Sequence, residues 1–428
     1  MPKTFFAPRH LALVLLLLSP AWAEENWPEF RGPTGQGLSD ATGLPLKWSE
    51  SENVKWKTPI HGKAWSSPVV FGDQVWLTTA TEDGRELFVI AVDRATGKLL
   101  HDRKLFDVEV PQYADKFNSY GSPTPAIEAG RVYVSFGSAG IACLDTKTGK
   151  TLWERRDFVC NHFRGPGSSL TIWRNLLILH FDGSDFQYVA AVDTRDGHTV
   201  WKTDRSIDFQ DLTPEGKPVR DGDFRKAFST PLVIEHEGHP LLISVGANAT
   251  YCYEPATGKE LWRVEDRRYH TGTVRPVAGH GMVYTATGLP RGELWAVKLG
   301  GHGVVTETHV AWKVATSVPN RPSPVLVGDL IFMVNQDSSV VTCLEAKTGA
   351  EIWRERLPGL GKYSASPIHA EGRIYFLNEN GHCPIIEAGR KFNVLAENKL
   401  EEGFMASPAV AGKALFLRSK THLYRIEN

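Results

Sequence analysis

Apolar residues in this chain come in short runs rich in Val, Ile, Leu and aromatic residues, separated by Gly, Asn, Asp and Pro. Such runs between turn residues predict strands rather than helices. The runs also recur. One element is a Ser/Pro-flagged opening into an apolar strand: Ser67-Pro68-Val69, Thr124-Pro125-Ala126, Ser168-Ser169-Leu170 and Thr230-Pro231-Leu232. It returns as Arg275-Pro276-Val277, Ser323-Pro324-Val325, Ser366-Pro367-Ile368 and Ser407-Pro408-Ala409. Pro suits the first residue of a strand, where no ladder N–H is lost. A tight polar turn follows each opening, as at Gly72-Asp73, Gly328-Asp329 or Gly372-Arg373, and then a second apolar strand such as Val75-Trp76-Leu77 or Ile374-Tyr375-Phe376. Gly or Asn between β-branched and aromatic runs marks a hairpin.

A third element closes most repeats. It begins at an acid and reaches a glycine four residues later, at Asp93/Gly97, Asp145/Gly149, Asp193/Gly197, Glu254/Gly258 and Glu345/Gly349. Four residues on stands Trp153, Trp201, Trp262 or Trp353, with His101 in the first copy. The fifth repeat lacks the turn but ends in Trp312, and the seventh ends in a divergent Glu387-Ala388-Gly389 stretch. The glycine supplies a positive-φ position, the acid caps the turn and the Trp plugs the space between neighbouring sheets. The eighth repeat has no room for its closing strand before Asn428, whereas Asn53–Lys57 is a spare Trp-bearing strand ahead of the first repeat. The expected fold is therefore all-β: an eight-bladed β-propeller of four-stranded blades, with the N-terminal strand completing the last blade. Seven blades is the alternative, if the irregular fifth or third repeat is not a blade.

Ser-Pro opening, acid-to-glycine turn and Trp together resemble the PQQ-like propeller repeat of quinoprotein alcohol dehydrogenases and of BamB-type outer-membrane assembly proteins. The resemblance covers Trp48 to Asn428. Trp27–Pro33 and Cys160–Pro166 also resemble uncharacterised secreted members. It implies a propeller, and it raises two activities: a quinone-dependent alcohol oxidation, or a BamB-like part in outer-membrane protein assembly. Quinoprotein dehydrogenases of this kind carry adjacent cysteines and hold calcium beside the quinone with Glu, Asn and Asp. Here no two cysteines are adjacent and that ligand set has no match, so PQQ with calcium is not carried over. No catalytic residue and no metal ligand is assigned.

Three segments, one of them a folded domain, follow from this reading. Residues 1–23 read as a signal peptide: Lys3 and Arg9, the apolar Leu11–Leu18, then Ala21-Trp22-Ala23 as cleavage site. Residues 24–47 are an N-terminal extension and 48–428 a single propeller. The expected location is periplasmic or secreted, with no membrane span. Forty-eight Lys and Arg against 49 Asp and Glu argue against a nucleic-acid partner.

Of the five cysteines, Cys143, Cys252 and Cys343 share one repeat position with Ala91 and Ala191, so Cys serves there as a small apolar residue. Cys160 and Cys383 remain, paired or free. His236-Glu-Gly-His239 lacks the zincin spacing and falls in a hairpin turn. Asn248-Ala-Thr250 matches a glycosylation acceptor amid strand residues.

Candidate chemistry is left to the blade-to-blade connections, which are long at Phe106–Gly121, Arg155–Gly167 and Thr203–Phe228. Their channel-proximal ends carry Asn118, Tyr120, Asn161, His162 and Arg164. The shorter connections add His270, Arg275, Arg321, Lys362 and Tyr363. If all opening strands point one way, these groups ring one channel mouth. That mouth would be basic and aromatic, suited to an anionic or carbohydrate-like ligand. The leading function is a binding or scaffold module with a protein or glycan partner.

Overall fold

Each repeat forms one antiparallel sheet, its strands in chain order from the axis outward, and the first strands of successive sheets touch around the axis. The computed structural model describes residues 26–428, so the signal peptide expected over 1–23 lies outside the described residues. Blade one comprises Val69–Phe71, Gln74–Ala80, Glu86–Asp93 and Leu99–Asp107. Both doubtful repeats are true blades. The third is Thr171–Trp173, Leu176–Asp182, Gln187–Asp193 and Thr199–Asp204. The fifth is Val277–Gly279, Met282–Ala286, Leu294–Lys298 and Val310–Val314. Blade eight takes its outer strand, Val54–Pro59, from the N-terminus, paired with His422–Ile426. The ring therefore has eight blades and closes as expected. No helix among the described residues is long and apolar enough to cross a membrane.

Pairing register explains the repeat residues. Trp153, Trp201 and Trp353 lie directly opposite Cys143, Ala191 and Cys343. A small residue is needed there because the indole crosses its strand to reach the next blade. Its Nε1 donates to a carbonyl of the following turn: Trp56 to Arg94, Trp153 to Thr194, Trp201 to Pro255 and Trp312 to Ala346. The ring also lies against the turn glycine of that blade. A Cβ on Gly197 would sit 2.7 Å from Trp153, and one on Gly258 2.4 Å from Trp201. The turn acids cap their turns, with Asp93 and Asp145 Oδ1 each accepting the N–H and hydroxyl of the threonine three residues on. Blade five has no such turn to offer Trp262. There Gly303–Val304 adds in parallel beside that outer strand instead, and Val305 packs over it.

The Ser/Thr of each opening has an inter-blade role that the repeat pattern alone did not reveal. The N–H of each donates to the hydroxyl of its counterpart in the next blade: Ser67 to Thr124, Thr124 to Ser169 and Ser169 to Thr230, each at 3.0 Å. Beyond Arg275 the chain resumes with Arg275 to Ser323, Ser323 to Ser366, Ser366 to Ser407 and Ser407 back to Ser67, at 2.8–3.0 Å. The ring is broken only where Arg275 replaces a hydroxyl. It also corrects the third repeat by one residue. Ser169, not Ser168, holds the ring position.

The cysteines are free, and Cys160 and Cys383 sit in separate cores, one between blades two and three and the other between blades seven and eight. They do not pair. His236 and His239 face each other across a hairpin turn. Asn248 Nδ2 donates to the Phe224 carbonyl and Thr250 is buried, so the acceptor pattern is a structural segment.

Candidate functional site

The innermost strands turn an unpaired edge to the axis, and unpaired buried backbone groups are costly. The N-terminal extension satisfies those of blades one, two, three, five and seven. Trp27 exchanges both backbone bonds with Val70 of blade one, and the Pro28 carbonyl accepts Ile127 N–H of blade two. Gln36 Oε1 accepts Ala278 N–H of blade five, and the Gly37 carbonyl accepts His369 N–H of blade seven. Leu38–Ser39 then adds as a parallel strand to Ile368–Ala370. Residues 26–39 thus form a plug across the axis, on the side where the first hairpins turn (the turn face).

Two buried arginines fix the plug. Arg275 reaches from the gap in the hydroxyl ring to Glu29 Oε1 at 2.7 Å and to the Phe30 carbonyl. Burial outweighs Arg275 and pushes the Glu29 carboxyl upward. Arg31 Nη2 donates to the Pro324 carbonyl at 2.7 Å in blade six. Burial, with Arg275 nearby, pulls its pKa down to about 9.

Above the plug, on the side crossed by the blade-to-blade connections (the loop face), lies a cup of about 200 Å³. Phe30 of the plug and the hydroxyl ring line its base, with Trp65, Phe117, Phe228 and Met405 among its walls. Two charges line it, Arg164 and Arg321. Arg164 Nη1 is 3.0 Å from Asp115 Oδ2. Arg321 donates to Ser364 Oγ at 3.1 Å and stands 5.5 Å from the Phe117 ring centroid. Phe117 is 49 % exposed, and its carbonyl is held by Trp65 Nε1 at 2.8 Å.

The structure brings some of the ten expected residues together and separates others. Asn118, Arg164 and Arg321 line the cup. Asn118 is a brace: its Nδ2 donates to the Arg164 carbonyl and its Oδ1 accepts Ser122 Oγ–H. Arg275 lies beneath the floor, 1 % exposed, engaged by the plug. Tyr120 and His162 line a neighbouring apolar cavity of about 140 Å³. His162 is buried, accepts Ser138 N–H at Nε2, and lies 3.6 Å from Cys160 Sγ. Burial holds the imidazole near a pKa of 4 and pushes the thiol far up, so the pair is a neutral packing contact, not an activated nucleophile. Asn161 lies in a surface loop, its Oδ1 accepting Phe163 N–H. His270 faces a separate cavity. Lys362 is on the rim, 3.8 Å from Asp337, and Tyr363 is fully buried in the core of blades six and seven. Position in a connection does not by itself specify whether a side chain turns to the axis or into an inter-blade core. Phe30, Trp65, Phe117 and Phe228 were not singled out, although the plug segment's Trp27–Pro33 pattern was.

The cup does not fit a calcium-bound quinone. Calcium takes six to eight oxygens, usually including carboxylates, and no Asp or Glu lines the cup. Among the described residues one set of three metal-capable groups comes together, Asp193, Asp196 and His198. It lies in blade three's outer turn, where Asp193 is bound by Arg195 and Asn175.

A family model described as outer membrane protein assembly factor BamB matches residues 40–160 and 185–428. The outer membrane protein assembly factor BamB of Shewanella oneidensis is 20 % identical over 317 residues, 68 % of this chain and 70 % of that one. The quinohemoprotein alcohol dehydrogenase of Comamonas testosteroni superposes with a TM-score of 0.66 at 12 % identity, over 95 % of this chain and 81 % of that one. BamB of Moraxella catarrhalis does so at 0.56 and 12 %, over 87 % and 99 %. These structural likenesses are of fold alone. With the repeat, the ring closure and the family match in agreement, the chain belongs to the PQQ-like repeat, BamB-like family of β-propellers.

Proposed function

We propose that this protein is a binding module of the bacterial envelope, periplasmic after leader removal, that holds a protein partner on its loop face. The observation that carries the reading is an asymmetry. The N-terminal plug closes the axis on the turn face, whereas the loop face offers a cup with an aromatic wall. Phe117 lines that cup, and further exposed apolar side chains stand on the blade-to-blade connections: Val110 (83 %), Tyr113 (66 %) and Leu360 (66 %). Apolar groups clustered on one face mark an interaction surface. Arg164 and Arg321 line the cup, held by Asp115 and by Asp337 with Glu379, and aromatic and Arg side chains are the usual anchors of protein interfaces. The BamB relatives support a partner within outer-membrane protein assembly, which also accounts for an envelope location. A glycan is the second ligand class compatible with the aromatic wall.

The test is binding of the purified mature protein to the periplasmic domains of the outer-membrane assembly machinery of the same organism. Wild type is expected to bind, and Phe117→Ser with Leu360→Ser to weaken binding at least about tenfold, as loss of interface anchors does. Leu99→Ser on blade one's outer strand should leave it intact. If wild type does not bind, the assembly reading fails. If the loop-face pair binds like wild type, the loop-face reading fails.

A further inference from the structure

The long Thr203–Phe228 connection, the 266–271 segment and the Leu289–Pro290 hairpin enclose a second cavity on the loop face, of about 580 Å³. Arg220, Arg267 and Arg268 line it, with a single carboxylate, Asp223. Asp223 is already committed to the buried Lys226 ammonium. Arg267 is committed to Glu265 at 2.6 Å. Arg220 and Arg268 have no carboxylate within ion-pair distance among the described residues. Each stands over an aromatic ring instead, Arg220 over Phe224 at 5.2 Å and Arg268 over Tyr269 at 5.9 Å.

Two further observations mark this cavity out. His270 lines it, 4.6 Å from the Phe224 ring. Its pKa is held down near 4, by burial first and then by the charges of Lys226, Arg164 and Arg220, so the cavity is cationic while its imidazole stays neutral. The backbone around it is also strained. Arg220 and Arg267 take φ of 51° and 43°, a left-handed region costly for such long side-chain-bearing residues. Strain of this kind persists at ligand clamps.

We propose that this cavity is a second binding site, for a small ligand that carries a phosphate or sulfate ester on a ring. Arg220 and Arg268 take the anion, and Phe224, Tyr269 and Leu289 form the wall for the ring. Two guanidinium groups from different segments match an anionic oxygen cluster, which arginine grips through paired N–H donors. The apolar wall selects against bare inorganic anions. This site is independent of the partner reading of the cup.

Calorimetric titration of the mature protein with phenyl phosphate, inorganic phosphate and phenol tests it. Phenyl phosphate should bind at least about tenfold more tightly than phenol, since each charged hydrogen bond contributes a factor of that order, and than inorganic phosphate, since the ring buries apolar surface. Arg220→Ala combined with Arg268→Ala should weaken it by about a hundredfold, with an unchanged melting temperature because both side chains are exposed. Arg321→Ala, in the cup, should bind phenyl phosphate as wild type does. The proposal is overturned if phenol binds as tightly as phenyl phosphate, if the double variant keeps wild-type affinity, or if Arg321→Ala loses it.

Discussion

Single residues here do two different jobs that look alike in the sequence. His162 and His270 both lie in connections, yet His162 is buried beside a small apolar cavity and His270 faces an arginine-lined one. Burial lowers the His162 pKa to about 4 from an ordinary 6.5. The unfolded chain therefore binds its proton first as pH falls. Between about pH 6.5 and 4 the unfolded state holds more protons, so stability drops with falling pH, by about 1.4 kcal/mol per unit at most. His162→Gln should flatten this part of the acid limb. Urea unfolding at pH 7, 6 and 5 checks it, and an unchanged slope in the variant would count against a buried neutral His162. Buried arginines were equally opaque to sequence reading. Arg275 reads in the sequence as a channel-mouth group because it ends a blade-to-blade connection, yet in the structure it stands where the other blades place a hydroxyl. The structure turns that same departure into the anchor of the plug.

At the scale of elements, most of the fold was legible because its periodicity is chemical as well as hydrophobic. Acid, glycine and Trp recur at fixed spacing because Trp56, Trp153, Trp201 and Trp312 dock on the next blade's turn. The shared position of Cys143, Cys252 and Cys343 with Ala91 was readable for the same reason. The docking contact has a measurable consequence. Gly130 and Gly197 both hold left-handed backbones, at φ of 80° and 75°, but only Gly197 touches an indole, with open space around Gly130. Gly130→Ala should cost about 1–2 kcal/mol for its backbone alone. Gly197→Ala should cost about 1–3 kcal/mol more, for displacing Trp153. Thermal melts of the two variants compare them directly, and equal losses would show that the Trp–turn contact adds nothing. What the repeat could not reveal lay outside it. The connections have no period, so whether Tyr363 or Arg321 faces the cup is decided by packing of loops that share no pattern.

For the whole molecule, ring closure was predictable by counting strands, but its asymmetry was not. Residues 26–39 carry no strand signal, and their role appears only when the unpaired inner edges of the blades are considered together. Once the plug is in place, one face is closed and the other bears the cup, the exposed apolar side chains and the arginine-lined cavity beside it. The proposed function therefore rests on a face, not on a residue motif, and the two sites proposed on it are separable by substitution. The most direct measurement is site-specific photo-crosslinking in living cells, with a benzophenone side chain placed at Phe117 on the loop face or at Lys413 on the turn face. Discrete protein adducts from position 117, absent from position 413, are predicted. Adducts from position 413 with none from position 117 would contradict a loop-face partner site.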